Sequence, residues 1–559
     1  MSWFVPSRWS CFLLRPHCTP VPDADGTRTA GAPIRLRVSA ACGVCFSGLA
    51  AEGGLAPDDS RTQGDPGSWL RLAIRDPCSR ETPALTTPGS LTASRVLVRG
   101  LFLRLLGAVF LAAFLSLLAQ ATLLFGRHGL LPAQDLLRAP RGFLDAPTLF
   151  WLDASDGTLR AAGIAGAVLS FGLILDLAPR YCLALLWALY LSFVTVGQDF
   201  LSFQWDNLLL ETALCALFVA PGGLRARSAP PPHPLAVFLM LWLVFRIHVE
   251  SGAEKLLLGD PTWRDLTAMA SYYETAPLPT WVGWYAHQMP LWAHRACGVF
   301  VYATELGLPL LIWSRRRLRA IAFAGMVAMQ VAILATANYG FFNYLSVAVA
   351  LWVLDDGHFG RAAVPQEPPR RSFVVPLAVP VLVALSVIEF LPFLHLPAGL
   401  DRRVLPVRRA VAPFRSVNSY HLFAHMTLVR REAVIEGSAD GATWLPYEFR
   451  YKPGDPVRPP PFVAPHQPRV DFQLWFLLLG PRSGARYFDT LLRRLLTVPE
   501  VVAPVFARDP FPDTPPRFVR VAVYRYRFTD VATRRATGAW WQRELEGYSR
   551  ALDAESVRR

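Results

Sequence analysis

The residues best suited to chemistry lie at the end of a long apolar run, in the stretch His248-Val-Glu-Ser-Gly-Ala-Glu-Lys255. Glu250 and Glu254 are four positions apart, which places both carboxylates on one face of a helix. Lys255 is one of only two lysines in a chain that otherwise uses arginine. A buried lysine can lose its proton and act as a base, whereas arginine cannot. Lys255 is therefore a candidate catalytic base, and the alternative is an interfacial lysine paired with a nearby carboxylate.

A second polar cluster, Gln198–Glu211, lies between the apolar runs Tyr181–Val196 and Leu208–Ala220. Polar groups at membrane depth are costly unless they are paired, so these side chains need partners from other helices or a wet cavity. Glu211 and Arg246 lie inside neighbouring apolar runs. They are either a buried structural ion pair or part of a ligand site.

Composition indicates the elements that must position these residues. The chain has 559 residues, 53% hydrophobic and 18% charged, whereas soluble domains average about 25% charged. This predicts a polytopic α-helical membrane protein. The net charge of +14 comes almost entirely from arginine, and no nucleic-acid-binding motif accompanies it, so no nucleic-acid partner is expected. Metal and nucleotide motifs are also missing, and Cys42-Gly-Val-Cys45 lacks a second pair, so we expect no metal and no cofactor.

About 20 apolar residues cross a bilayer, and the chain has about nine candidate spans, several of them short. The apolar runs are Leu105–Phe125, Ala161–Ala178, Tyr181–Val196, Leu208–Ala220, Leu235–Val249, Ala296–Trp313, Leu318–Ala337, Gly340–Leu354 and Phe373–Leu396. The predicted domains are a disordered extension (1–94), a multi-span helical membrane domain (95–396) and a β-rich domain (397–559).

Arginines predict the orientation of these spans. Clusters precede the first span and follow the second, fourth, sixth and eighth, which the positive-inside rule makes cytoplasmic. The N-terminus is then cytoplasmic and the C-terminal domain extracytoplasmic. The same topology collects the unusual polar residues on the outer side, where we expect them to line one recess. The predicted recess residues are Gln204, Trp205, Asp206, Glu211, Arg246, Glu250, Glu254, Trp263, Asn338 and Tyr339.

Within the C-terminal domain, Met426–Glu436 and Thr443–Tyr451 flank Gly437-Ser-Ala-Asp-Gly441, which is typical of a β-hairpin. Val519–Phe528 alternates apolar and basic residues and predicts a strand with one wet face. Ala485–Leu496 has helical spacing.

Several long stretches of the sequence are distinctive: FLSFQWDNLLLE at 200–211, SGAEKLLLGDPTW at 251–263, NYGFFNYL at 338–345, PFRSVNSYHLFAHMT at 413–427 and RPPPFVAPHQPRVDFQLWF at 458–476. These stretches resemble the lipase maturation factor family. The resemblance implies a membrane protein of the endoplasmic reticulum with a lumenal C-terminal domain that helps lipases to fold. A bacterial relative would instead lie in the plasma membrane.

The implied partners are membrane lipid and an exported lipase or other secreted client. Aromatic and basic residues of the C-terminal domain are the kind that protein interfaces favour. The predicted client-binding residues are Trp444, Tyr447, Phe449, Tyr451, Lys452, Arg458, Arg469 and Trp475. A shorter resemblance, SGAEKL, is to the membrane domain of vitamin K-dependent gamma-carboxylases. It implies an alternative in which Lys255 is the base acting on a lipid-soluble reactant; we favour the folding factor, which is not an enzyme.

Overall fold

A computed structural model describes residues 94–140, 142–224, 230–361, 373–394, 398–479 and 485–556, without the side chains of 398–401. The chain divides into two compact units, Met1–Thr86 and Thr87–Arg559, and all described residues belong to the second unit. The predicted extension, with its Cys42–Cys45 pair, therefore lies outside the described residues, except for Ser94.

The described α-helices account for all nine predicted apolar runs. In chain order they are α1 (Val96–Leu118), α2 (Ala121–Phe125), α3 (Ala133–Arg138), α4 (Asp156–Ile174), α5 (Pro179–Val196), α6 (Gln204–Val219), α7 (Pro234–Leu257), α8 (Pro261–Arg264), α9 (Ala268–Thr275), α10 (Trp281–His287), α11 (Leu291–Tyr302), α12 (Arg316–Thr336), α13 (Phe342–Ala350), α14 (Val374–Phe390), α15 (Ala398–Val411), α16 (Arg469–Leu477), α17 (Arg486–Thr497), α18 (Pro499–Val502) and α19 (Val531–Thr537).

Seven helices of the described part are long and apolar enough to cross a membrane. They are α1, α4, α5, α7, α12 and two longer helices, Leu291–Trp313 and Val374–Leu394. The first of these two continues α11 through a π-helical and a 3₁₀ segment, and the second continues α14 through a 3₁₀ turn. The other two runs, Leu208–Ala220 and Gly340–Leu354, form shorter helices, since α6 has 16 residues and the second spans Phe342–Val353. The multi-span helical fold is confirmed, with two of the nine runs falling short of a full span.

Many of these helices begin at residues that are favoured at a helix N-terminus. Ser155 accepts a hydrogen bond from the Thr158 amide at the start of α4, and α5 and α7 each begin with proline. Asp260 accepts from the Thr262 amide at the start of α8. Short polar side chains satisfy amides that the first helical turn leaves unpaired, and proline is tolerated there because it has no amide to satisfy.

The C-terminal domain contains two antiparallel sheets. The strands are β1 (Arg430–Ser438), β2 (Leu445–Pro446), β3 (Glu448–Phe449), β4 (Phe506–Arg508), β5 (Phe518–Phe528), β6 (Trp541–Tyr548) and β7 (Leu552–Asp553). The larger sheet has the order β2-β1-β5-β6, with β7 also paired to β5, and the smaller pairs β3 with β4. The predicted strand is confirmed as β5 and the predicted helix as α17.

The predicted hairpin is confirmed but is short. Only Glu436↔Pro446 and Gly437↔Leu445 pair β1 with β2. Along its whole length β1 pairs instead with β5, from Arg430↔Tyr526 to Ser438↔Phe518. The long-range partner completes the sheet because a two-stranded ribbon alone buries too little apolar surface to be stable.

The membrane helices and the C-terminal domain share one continuous hydrophobic core. Phe472 of α16 contacts the rings of Phe203 and Trp205 at centroid distances of 5.1 and 5.0 Å. The same buried cluster extends from Phe110 in α1 to Leu491 in α17. The C-terminal domain is thus packed on the helices rather than tethered to them, and the candidate site lies in this junction.

Candidate functional site at the junction of the two domains

The first charged cluster joins α6 to α16. Asp206, in the first turn of α6, and Arg469, the first residue of α16, are both almost completely buried. The guanidinium donates to both carboxylate oxygens, with Nη1–Oδ2 2.6 Å and Nη2–Oδ1 2.8 Å. The hydroxyl of Tyr190 donates a third hydrogen bond to Oδ1 at 2.6 Å. This bidentate geometry pairs both charges and fixes their relative orientation.

The second cluster joins α6, α7 and the segment that follows Ser416. Arg246 donates to Glu211 at 2.6 Å and to Glu250 at 2.8 Å, and also to the Asn418 carbonyl. Tyr420 closes the cluster, because its hydroxyl donates to Glu211 at 2.6 Å and its amide donates to Glu250 at 2.8 Å. Burial, with Glu211 next to the ring, raises the pKa of Tyr420 well above its usual range. The neutral phenol is therefore a fixed donor.

Lys255 lies in a third cluster at the end of α7. Its Nζ donates to Glu305 at 2.9 Å and to the carbonyls of Ser251 and Leu422 at 3.2 and 2.9 Å. The ammonium also lies 5.1 Å from the ring centroid of Trp263, and the residue is only 3% exposed. An ammonium has three protons, and all three have acceptors here. The structure therefore pairs Lys255 with a carboxylate, as in the alternative to catalysis, but the residue is buried rather than interfacial.

The remaining predicted recess residues make direct contacts with the C-terminal domain. Gln204 exchanges two hydrogen bonds with the backbone of His421, at 2.7 and 3.0 Å. Trp263 donates to the Phe423 carbonyl at 2.7 Å. Asn338 accepts from the Val463 amide at 2.7 Å. These contacts satisfy the polar atoms of both domains at once.

Tyr339 and Glu254 complete the set. The Tyr339 ring contacts Phe423 and Phe472 at centroid distances of 5.6 and 6.2 Å. The buried Glu254 carboxylate lies 3.7 Å from Nδ1 of His421. Burial lowers the pKa of His421 to about 4, so the histidine is neutral at pH 7 and this contact is not an ion pair.

The structure thus brings the ten predicted residues to one junction but does not leave them around an open recess. Most are buried, and segments 416–426 and 461–469 cover them. The physical reason is that the backbone of these two segments supplies donors and acceptors that water would otherwise have to supply.

Comparison with known proteins covers both sides of this junction. A family model described as the lipase maturation factor transmembrane domain matches residues 97–361, and one described as the lipase maturation factor C-terminal domain matches residues 416–550. The chain belongs to the lipase maturation factor family. It is 34% identical to lipase maturation factor 2 of Gallus gallus, over 80% of each chain. It is 32% identical to lipase maturation factor 1 of Bos taurus, over 85% of this chain and 92% of that protein.

No solved structure matches this chain. The family match and the seven apolar helices establish an integral membrane protein. The charged clusters take partners from both matched regions. Asp206, Glu211 and Lys255 lie in the transmembrane match, and Arg469 and Tyr420 lie in the C-terminal match. None of the relatives described here is named as a carboxylase.

Half of the predicted client-binding residues are buried. Tyr447, Phe449, Lys452 and Arg469 belong to the interior, and the Lys452 ammonium pairs with Glu432 at 2.5 Å. Their expected exposure is corrected, because a basic or aromatic residue in a β-rich segment can equally stabilise the core. The other four are partly exposed: Trp444, Tyr451, Arg458 and Trp475.

Sequence reasoning missed several residues that complete the junction. Gln120, the strongly polar residue of the first apolar run, donates to the Gln467 carbonyl at 2.6 Å and accepts from the Arg469 amide at 3.0 Å. Its isolation in an apolar run was a usable signal. Tyr190 gave no such signal, because an aromatic residue in an apolar run is ordinary core. Tyr420 lies in the polar stretch Ser416-Val-Asn-Ser-Tyr420-His421, which does not indicate that its side chain is buried.

Proposed function

We propose that this protein assists the folding of exported lipases as an integral membrane folding factor. Its membrane is then the endoplasmic reticulum, which the family resemblance implies, and its C-terminal domain faces the lumen. Support comes from the names of its relatives and from the arginine clusters that favour a cytoplasmic N-terminus.

The observation that carries the proposal is an aromatic–arginine stack on the larger sheet. The Arg520 guanidinium carbon lies 4.1 Å from the ring centroid of Trp444 and 3.9 Å from that of Tyr548. Glu436 holds the same guanidinium through a 2.7 Å ion pair. Tyr548 remains 51% exposed and neighbouring Leu445 41% exposed. We name Trp444, Arg520, Tyr548 and Leu445 the client platform.

The client platform has the composition of a protein-binding surface. Tryptophan, tyrosine and arginine are the residues that contribute most at binding hot spots. Because Arg520 is clamped between two rings, little side-chain freedom remains to be lost when a partner binds. A client that exposes apolar segments before it is folded would fit such a rigid amphipathic surface.

The buried Lys255 cluster supports the same choice between the two functions considered. A catalytic base must reach the proton that it removes, and the Lys255 ammonium is instead surrounded by Glu305, two carbonyls and Trp263. We therefore assign Lys255 a structural role at the junction and assign client binding to the client platform.

The test is secretion of an active lipase from cells that lack their own maturation factors. The full chain is supplied as wild type, as Trp444→Ser with Tyr548→Ser, or as Phe462→Ser, which alters an exposed aromatic residue outside the sheet. We expect the double variant to lower secreted lipase activity and lipase co-purification at least fivefold at unchanged abundance of the factor. Phe462→Ser should preserve both.

Two outcomes would contradict this proposal. If the wild-type chain does not raise secreted lipase activity, the proposed maturation function is wrong. If the double variant supports full lipase activity and Phe462→Ser does not, the maturation function stands, but the client binds at the 458–476 segment and not at the client platform.

A further inference from the structure

Helix α15 is amphipathic. Its apolar residues recur at the spacing i, i+4, i+7 and i+11, which forms one stripe along a helix, and its arginines lie beside or opposite that stripe. The apolar positions are Leu400, Val404, Val407 and Val411, and the arginines are Arg402, Arg403, Arg408 and Arg409. With Asp401 as its one acidic residue, the helix carries a formal charge of +3 from four arginines and one aspartate.

The position of α15 is set by the last candidate span. That span ends at Leu394, and α15 begins at Ala398. Arg408 of α15 forms an ion pair with Glu389 of the span, with its Nε 3.0 Å from the carboxylate. Because Glu389 lies in the last turn of α14, this ion pair holds α15, about 21 Å long, beside the end of the candidate span.

Neither face of α15 is fully used by the protein. Arg402, Arg403 and Arg409 are exposed and make no ion pair within the described part of the chain. Val407, on the apolar stripe, is 40% exposed. A membrane interface suits both faces of α15. The apolar side chains can enter the acyl-chain region, and the arginines can contact the phosphate groups of the lipid headgroups.

We propose that α15 lies in the membrane interface and binds anionic phospholipid headgroups through Arg402, Arg403 and Arg409. The bound lipid fixes the helix against the leaflet in which α14 ends. Because segment 416–426 follows α15 directly and covers the charged clusters, the lipid contact helps to hold the C-terminal domain at its height above the membrane. This role is independent of the proposed client.

The test uses the full chain purified in mild detergent with equal amounts of phosphatidylglycerol and phosphatidylcholine, and native mass spectrometry counts the retained lipids. The test variant carries Arg402→Gln, Arg403→Gln and Arg409→Gln. The matched control changes three other exposed arginines, Arg493→Gln, Arg527→Gln and Arg535→Gln. Both remove three positive charges.

We expect the α15 variant to retain phosphatidylglycerol at least tenfold less than the control, since each basic residue near an anionic surface contributes about fivefold in binding. Retention by the wild type should fall in 0.5 M salt, where charges are screened. If the α15 variant melts at a lower temperature than the control, Arg409→Gln alone replaces it, with a roughly fivefold loss expected.

Equal retention of phosphatidylglycerol by the α15 variant and the control overturns the proposal. So does competition by inorganic phosphate at millimolar concentration, which would mean a free-anion site. Loss of lipase co-purification with unchanged lipid retention would assign the arginines to an acidic protein partner and would also overturn it.

Discussion

Replacing Arg469 with methionine should release the C-terminal domain from the membrane helices. Arg469 donates three hydrogen bonds across the junction, two to Asp206 and one of 3.0 Å to the Phe200 carbonyl. Methionine fills much of the same volume but leaves the Asp206 carboxylate buried, with only the Tyr190 hydroxyl as a donor among these groups. Removing one partner of a buried ion pair costs about 3–5 kcal/mol.

That cost corresponds to a shift of roughly 150-fold to 5,000-fold in the equilibrium between docked and undocked states. Hydrogen exchange can measure the shift, because some amides are bonded only across the junction. Asn418, Tyr420 and Met426 donate their amide protons to Glu211, Glu250 and Asp260, respectively. Peptides covering 416–426 should exchange at least about 150-fold faster in Arg469→Met, which is the low end of the range calculated from the buried-pair cost.

Two controls make this prediction specific. Peptides from β5 should keep their protection, which would show that the C-terminal domain undocks without unfolding. Adding Asp206→Asn to Arg469→Met removes the orphaned charge and should slow exchange of 416–426 by at least tenfold. Exchange in Arg469→Met at the wild-type rate, or equal exchange in the single and double variants, would refute the argument from buried charge.

Three further variants test other parts of the structure. Lys255→Met should reduce the abundance of folded protein, and adding Glu305→Gln should restore it, because the pair is structural; loss of lipase maturation with normal abundance in the double variant would contradict this. Burial raises the pKa of Asp471 to about 6, so its contribution to stability is fully present below about pH 4 and is lost as pH rises through 6. Asp471→Asn should flatten the dependence of the unfolding free energy on pH between pH 4 and 7 by about 2–3 kcal/mol, and an unchanged slope would count against the buried carboxyl. Gly340→Ala should destabilise the junction by about 2 kcal/mol or more, since this residue has φ +56° and an added Cβ would lie 2.5 Å from a glutamine side chain; Gly360→Ala, at φ +71° with no atom within 4 Å, should cost only about 1 kcal/mol, and equal melting temperatures would exclude the steric explanation.

The sequence by itself determined the architecture and the family. Long apolar runs predict spans because only a helix satisfies its own backbone in lipid, and each of the nine runs contains a helix within the described part of the chain. The alternation at Val519–Phe528 predicted β5, and the helical spacing at Ala485–Leu496 predicted α17. These signals are local, so a short stretch of chain contains all the information that they need.

Tertiary structure decided which residues meet. Asp206 and Arg469 are 263 positions apart, and Lys255 and Glu305 are 50 apart. Periodicity shows which face of a helix is buried but not which segment buries it. The ten predicted recess residues lie at one junction in the structure, yet the chain segments that cover them could not be predicted. Charged groups in a low-dielectric interior require partners, and only the three-dimensional packing of both domains identifies which partners they have.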